Sequence, residues 1–267
     1  MHWSTVTLGY VSYLAVVSWL RPMSSGARGR VLSAAAATWA AFAAATRSGT
    51  DLDALSPALL VALPALILLL GYWLSGLFFV HPQPAIERGL LRLDHAVLPR
   101  VSAVQWSQGA PRLLLEYLEL SYLLVYALLP AGAVVIAFAG EAWDVARFWT
   151  VVLLAEFACY AVLPWIQTRP PRVVEDPVGS PPAIGVRRLN LAIARRASIQ
   201  ANTLPSAHTA GAVAAALCVI EASPNVGAAF LVVATSIAAA TVAGRYHYLL
   251  DSILGALVGA AAWAVVY

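Results

Sequence analysis

Apolar residues gather into eight runs along the chain, at 3–20, 31–46, 57–80, 113–139, 148–166, 207–222, 225–243 and 249–267. A bilayer core of ~30 Å takes about 20 mostly apolar residues in a helix. The runs therefore predict an all-α integral membrane protein with about eight transmembrane helices. The 31–46 run is short and rich in Ala. The first run has no basic stretch before it and no small-residue cleavage pattern after it, which reads as a retained helix and not a signal peptide. The polar stretches differ in kind. In 81–112, Leu90, Leu91, Leu93, Val97 and Leu98 recur at helical spacing, which predicts an amphipathic helix at the interface. The stretch 167–205 is dense in Pro and Arg, and its part 187–199 fits a surface helix. Gly255 and Gly259 form a small-residue spacing suited to close helix packing.

With eight spans, the connections at 21–30, 81–112, 167–205 and 244–248 share one face. Those at 47–56 and 140–147, with both termini, share the other. Residues distant in sequence are thereby expected in one place.

Composition sharpens the class. The chain is 61% hydrophobic and 11% charged, with mean hydropathy +0.79, which excludes a soluble domain. Cys159 and Cys218 both sit in apolar runs and suggest neither a disulfide framework nor a zinc site. All 16 basic residues are Arg. No basic–aromatic patch suggests nucleic acid. The face with the connections 21–30, 81–112, 167–205 and 244–248 carries 14 of the arginines and the opposite face 2. The positive-inside rule then places that face in the cytoplasm, in a plasma or inner membrane crossed many times.

Three stretches on that face carry chemistry. They are Gln167-Thr168-Arg169-Pro170-Pro171-Arg172, Asn202-Thr203-Leu204-Pro205-Ser206-Ala207-His208-Thr209, and Arg245-Tyr246-His247 with Asp251. His247 and Asp251 are four residues apart, a spacing that stacks side chains on one helix face. A carboxylate there fixes the tautomer of the imidazole. The same spacing also fits an interfacial Arg–Asp pair beside a histidine reaching for water. Pro205 and Ser206 mark a helix start, whose free N–H groups favour anions. Arginines take phosphate oxygens two at a time. One carboxylate-activated histidine attacks phosphorus and a second protonates the leaving oxygen. This inventory suits phosphoryl transfer with no cofactor and no metal. No acidic cluster suited to magnesium is apparent on that face.

Leu204-Pro205-Ser206-Ala207-His208-Thr209 and Arg245-Tyr246-His247-Tyr248 with Asp251 resemble the second and third signatures of the type 2 phosphatidic acid phosphatase superfamily. That family includes lipid phosphatases, polyprenyl diphosphate phosphatases and sphingolipid-type phosphotransferases. The resemblance covers residues 57–267 and implies a six-helix core there, with 1–56 an added N-terminal helix pair. It implies that His247 is a nucleophile forming phosphohistidine, Asp251 its orienting partner and His208 the general acid. Arg169, Ser206 and Arg245 would hold the phosphate. Two departures stand out. Val162 occupies the place of the family's first-signature Lys, and Thr241 the place of its third-signature Arg. Arg172 and Arg245 are near enough in sequence to substitute. The altered first signature looks more like the inositol phosphorylceramide synthase-like branch, in which a head group passes to a lipid alcohol. The implied partners are the bilayer and a membrane lipid phosphate; nothing sets an oligomeric state. A non-enzymatic binder or transporter of anionic lipid would need the same arginines but not His208.

Glu116 and Glu119 either contact an acceptor or head group, as Tyr248 would, or pair with Arg100 and Arg112. Glu156 is about ten residues from the first signature, ~15 Å along a helix, too deep for phosphate and suited to a buried hydrogen bond. Asp94 and His95 are candidates to line a path for lipid. Trp106, Trp143, Trp149 and Trp165 fit the aromatic belts of the two interfaces.

Overall fold

The computed structural model describes residues 2–52, 55–98, 110–139, 142–175 and 185–267. Among these residues the chain is helical between turns, with one isolated two-residue bridge, Thr168 to Asn202. The helices are α1 (Trp3–Leu20), α2 (Ser25–Arg47), α3 (Pro57–Gly76), α4 (Pro84–Val97), α5 (Arg112–Ala139), α6 (Ala142–Val162), α7 (Pro171–Val174), α8 (Gly185–Arg196), α9 (Ala207–Ala222), α10 (Pro224–Ala243) and α11 (Leu249–Val266).

Five of them, α3, α5, α6, α10 and α11, are long and apolar enough to cross a membrane. The α9 helix is apolar but has 16 residues. The α1 and α2 runs, read as spans from the sequence, fall below that measure. The α1 helix dilutes its apolar residues with Ser and Thr, and α2 carries Arg28 and Arg30. The α2 helix also starts six residues earlier than its apolar run, because the Ser24 hydroxyl caps it by accepting from the Ala27 N–H.

The α6 helix lies in the middle. Val151, Val152, Leu153 and Ala155 on successive faces are all fully buried, as expected of a helix that is apolar all round. Trp149 is buried beside them and so is not part of an interfacial belt. Trp165 does sit at a surface, 42% exposed, with the Arg21 guanidinium over its ring. Arg100 and Trp106 lie outside the described residues, as does the side chain of Trp143. On α1, Tyr10 stacks on Phe157 of α6 at 4.0 Å. The α9 helix is sheathed by alanines and packs against α6, α10 and α11. Gly255 and Gly259 let α11 close on it, since a Cβ at either would run into the carbonyl oxygen of Ser206 or Ala210.

The two amphipathic helices lie across one end of the bundle, and their inward faces are polar. On α4 the buried residues are Glu87, Leu90 and Asp94, while Leu93 and Val97 are exposed. On α8 they are Arg187, Asn190 and Ala194. Connections expected on one face do meet here. The Gln83 N–H donates to the Gln167 carbonyl at 2.8 Å, Asn202 N–H to the Thr168 carbonyl at 2.8 Å, and Arg172 N–H to the Arg245 carbonyl at 3.1 Å. At the other end Arg147 lies over the Tyr267 ring, 3.5 Å from its centre.

Candidate active site

His247 ends the tight connection from α10 to α11. Its backbone N–H and that of Tyr246 both donate to the Thr241 carbonyl at 2.9 Å. Thr241 is fully buried and bonded to Ala238 and Ser252, so no arginine side chain fits at that position. Asp251 sits one turn into α11. Its Oδ2 accepts from the Tyr248 N–H at 2.9 Å, closing the first turn, and from the Asn202 amide at 2.8 Å. The same oxygen lies 3.6 Å from Nδ1 of His247. Asn202 also donates to the Thr168 hydroxyl at 3.0 Å, so one amide links all three signature stretches.

His208 enters from the first turn of α9, its ring centre 5.5 Å from that of His247. Ser206 is the N-cap of α9, its hydroxyl accepting from the Thr209 N–H, and it is fully buried. Tyr122 of α5 stacks on His208 at 5.0 Å and on Tyr246 at 3.9 Å. Tyr246 in turn donates to Glu119, which also binds Arg187 and Asn190.

A cavity of about 40 Å³ opens between these groups, lined by Arg172, His208, His247, Tyr122, Tyr126 and Thr203 among others. A water needs about 10–15 Å³ by this measure, so the space admits a group of roughly three oxygens. Burial first, and then the nearby Arg172 guanidinium, push the His247 imidazole down to about 3, with the Thr203 carbonyl opposing. His247 is therefore neutral at physiological pH. A neutral imidazole beside a carboxylate, facing a second imidazole and a guanidinium, has the parts for attack on phosphorus.

The arginines divide. Arg172 lines the cavity, lies over the Tyr246 ring at 5.0 Å and has no carboxylate partner among the described residues. Arg169 and Arg245 do have such partners. Glu87 takes the Arg169 backbone N–H at 2.8 Å and its guanidinium at 3.0 and 2.7 Å. This pairing lowers the Glu87 carboxyl below its usual range and raises Arg169. Asp94 takes the Arg245 guanidinium at 3.0 Å and the Leu249 N–H at 3.0 Å, and Glu175 grips the same guanidinium. Arg245 itself has a left-handed backbone, φ 60°, a conformation costing a non-glycine residue about 1 kcal/mol. Two carboxylates on its side chain hold it there.

Glu87, Asp94 and Glu175 thus converge on this face, each on an arginine. Among the described residues no three metal-ligating side chains cluster. Glu116 accepts from the Val186 N–H at 2.9 Å and lies 4.0 Å from Arg112. Tyr248 is fully buried and donates to the Arg169 carbonyl at 3.1 Å. Asp94 and His95 are occupied by Arg245 and Glu175. Sequence reasoning passed over Glu87, Glu175 and the role of Asn202. The available signal was the acidic stripe on α4, with Glu87, Leu90 and Asp94 at i, i+3 and i+7.

No curated protein and no solved structure matches the chain. The PAP2 superfamily matches it over residues 88–265, two thirds of its length, from α4 to the end of α11. That span contains both histidines, Asp251, Arg169, Arg172 and Arg245, so the chain belongs to the PAP2 superfamily.

Proposed function

We propose that the protein is a membrane enzyme that removes or transfers the phosphoryl group of a lipid phosphate through a phosphohistidine, of the phosphatidate or polyprenyl (di)phosphate phosphatase type. The observation that carries this is the pair of imidazoles 5.5 Å apart at one cavity, one of them beside a buried carboxylate. Nδ1 of His247 faces Asp251, which leaves Nε2 for phosphorus. As the N–P bond forms, the bond from phosphorus to the lipid oxygen breaks. That oxygen departs with the electron pair and takes a proton from His208. His208 then removes a proton from water, which attacks phosphorus and releases His247. Arg172 meets the phosphoryl oxygens, and Arg169 and Arg245 border the same site from their ion pairs.

One observation favours a second outcome. With Arg169 and Arg245 paired to carboxylates, Arg172 is, among the described residues, the one arginine that lines the cavity without a carboxylate partner. A single cation suits a singly charged phosphodiester, which fits transfer of a phosphorylated head group to a lipid alcohol, as in the inositol phosphorylceramide or sphingomyelin synthase type. In this reading the alcohol replaces water in the second step.

The eight apolar runs support a core at 57–267 with an added helix pair at 1–56. The arginine balance supports a cytoplasmic site. Purified protein in detergent is expected to release phosphate from phosphatidate or polyprenyl diphosphate, and His247→Ala to lower the rate at least 100-fold, the order supplied by a nucleophile with its acid–base partner. An unchanged rate in that variant ends the reading.

A further inference from the structure

Beside the phosphate cavity runs a second, larger one of about 240 Å³. The two share Tyr72, Tyr126, Tyr160, Ile193, Ser198 and His208, so they adjoin. Its walls come from α3, α5, α6 and α8, and Leu69, Trp73 and Tyr126 on its lining are exposed on the apolar flank of the bundle. The lining is apolar with one charged exception, Glu156 of α6. Glu156 is 3% exposed; the Tyr160 hydroxyl lies beside its carboxyl, and among the described residues its Oε2 has no hydrogen-bond partner. A buried carboxyl oxygen left without a donor is destabilising, which points to a ligand group that meets it. Oε1 presses against α9 at Gly211, where a Cβ would overlap it. Gly211 is three residues beyond His208, so the carboxyl lies about 4.5 Å deeper along the α9 axis. Nε2 of His208 is also buried and has no hydrogen-bond partner among the described residues.

We infer that this groove binds the lipid alcohol of the reaction, and that Glu156 selects lipids carrying a second hydroxyl one helical turn from the reacting oxygen. The inference rests on the proposed reaction, in which the lipid oxygen sits on the His208 side of phosphorus. Whether that oxygen leaves or attacks, its chain has the same place to lie. The chain enters from the bilayer past Leu69 and Trp73. The reacting oxygen stops at His208, and the second hydroxyl satisfies Oε2. A hydroxyl both donates and accepts, so it fits either protonation state of the carboxyl. Glu156 is thus a specificity-determining residue, and depth excludes it from the phosphate.

Binding is measurable without turnover, because Trp73 and Trp149 line the groove. The full-length protein in detergent is titrated with a brominated long-chain 1,3-diol and with the matching 1-alkanol, and bromine quenching of tryptophan fluorescence is followed. The diol is expected to half-saturate at about tenfold lower concentration, the worth of one hydrogen bond to a buried carboxyl. Glu156→Leu erases that difference and Glu156→Gln keeps most of it. Gly211→Ala, which displaces the carboxyl from the other side, also erases it. Replacing Trp73 and Trp149 together with Phe removes most of the quenching. A diol preference that survives in both Glu156→Leu and Gly211→Ala overturns the inference, as does full quenching without the two tryptophans. Diol selection in a protein that releases no phosphate would refute the reaction and leave the groove standing. Phosphate release with no diol selection would do the reverse.

Discussion

Asp94→Asn removes one charge from a buried ion pair and keeps the size of the side chain. Arg245 is 5% exposed and Asp94 2%, so water cannot replace the missing partner. Breaking one side of a buried pair costs about 3–5 kcal/mol. Glu175 still holds the same guanidinium, which puts the expected loss at the lower end, about 3 kcal/mol. For a chain of this size each kcal/mol moves the unfolding midpoint by about 2–4 °C, so a fall of about 6–12 °C follows. The assay is thermal unfolding in detergent at a fixed heating rate, read by tryptophan fluorescence. Arg245→Gln is expected to cost a similar amount, because it leaves Asp94 as the buried charge. The double variant should then lose less than the sum, by about 1 kcal/mol or more. Glu87→Gln is expected to cost less, about 1 kcal/mol, since the Arg169 side chain is 37% exposed and solvent takes over part of the interaction. Phosphate release should fall with stability in Asp94→Asn, because Asp94 also fixes the Leu249 N–H at the start of the helix bearing Asp251. A wild-type midpoint in Asp94→Asn, or single variants that add to within ~0.5 kcal/mol, would refute this account of α4.

His247 should govern pH dependence in a defined direction. Its native value is lowered to about 3 from 6.5, so the unfolded chain takes up the proton first. Its contribution to stability is fully present above pH 6.5 and is lost as pH falls toward about 3. Arg172→Gln removes the second of the two causes. The acidic limb of phosphate release should then shift upward while staying below 6.5, because burial, the larger cause, remains. A limb that stays put or moves down argues against the placement of Arg172. For sidedness, an alkaline phosphatase reporter fused after Tyr267 is expected to be active and a fluorescent protein there dark. The opposite pair of results places the site outside the cytoplasm.

The helices were legible because apolar runs and their caps are local. The last helix, 249–266, ends within a residue of its run, and the start of α10 at Pro224 is marked by proline itself. The nearness of His247 to Asp251 was legible from their spacing, though His247 precedes the N-cap Tyr248 and the loop bonds to Thr241, not a turn of helix, hold it there. The partners of Arg169 and Arg245 were not. Glu87 is 82 residues from Arg169 and Asp94 is 151 from Arg245. Which acid an arginine finds across such distances is decided by how α4 lies over the bundle, and spacing carries no record of that. Trp149 misled because tryptophan near a helix end suits both an interface and a core, and only packing around α6 separates the two.

His208 hangs from α9 and His247 from the loop before α11, yet they share a common spacer. Tyr246 immediately precedes His247 and lies flat on Tyr122, which lies flat on His208. The His247 ring stands outside the column, tilted 58° to His208, so it is tied to the column through the backbone of Tyr246. A bilayer changes thickness and lateral pressure from moment to moment, and helices within it tilt in response. With His208, Tyr122 and Tyr246 stacked as a unit and His247 next in the chain to Tyr246, such breathing carries both imidazoles with the column and leaves the gap that phosphorus must bridge nearly constant.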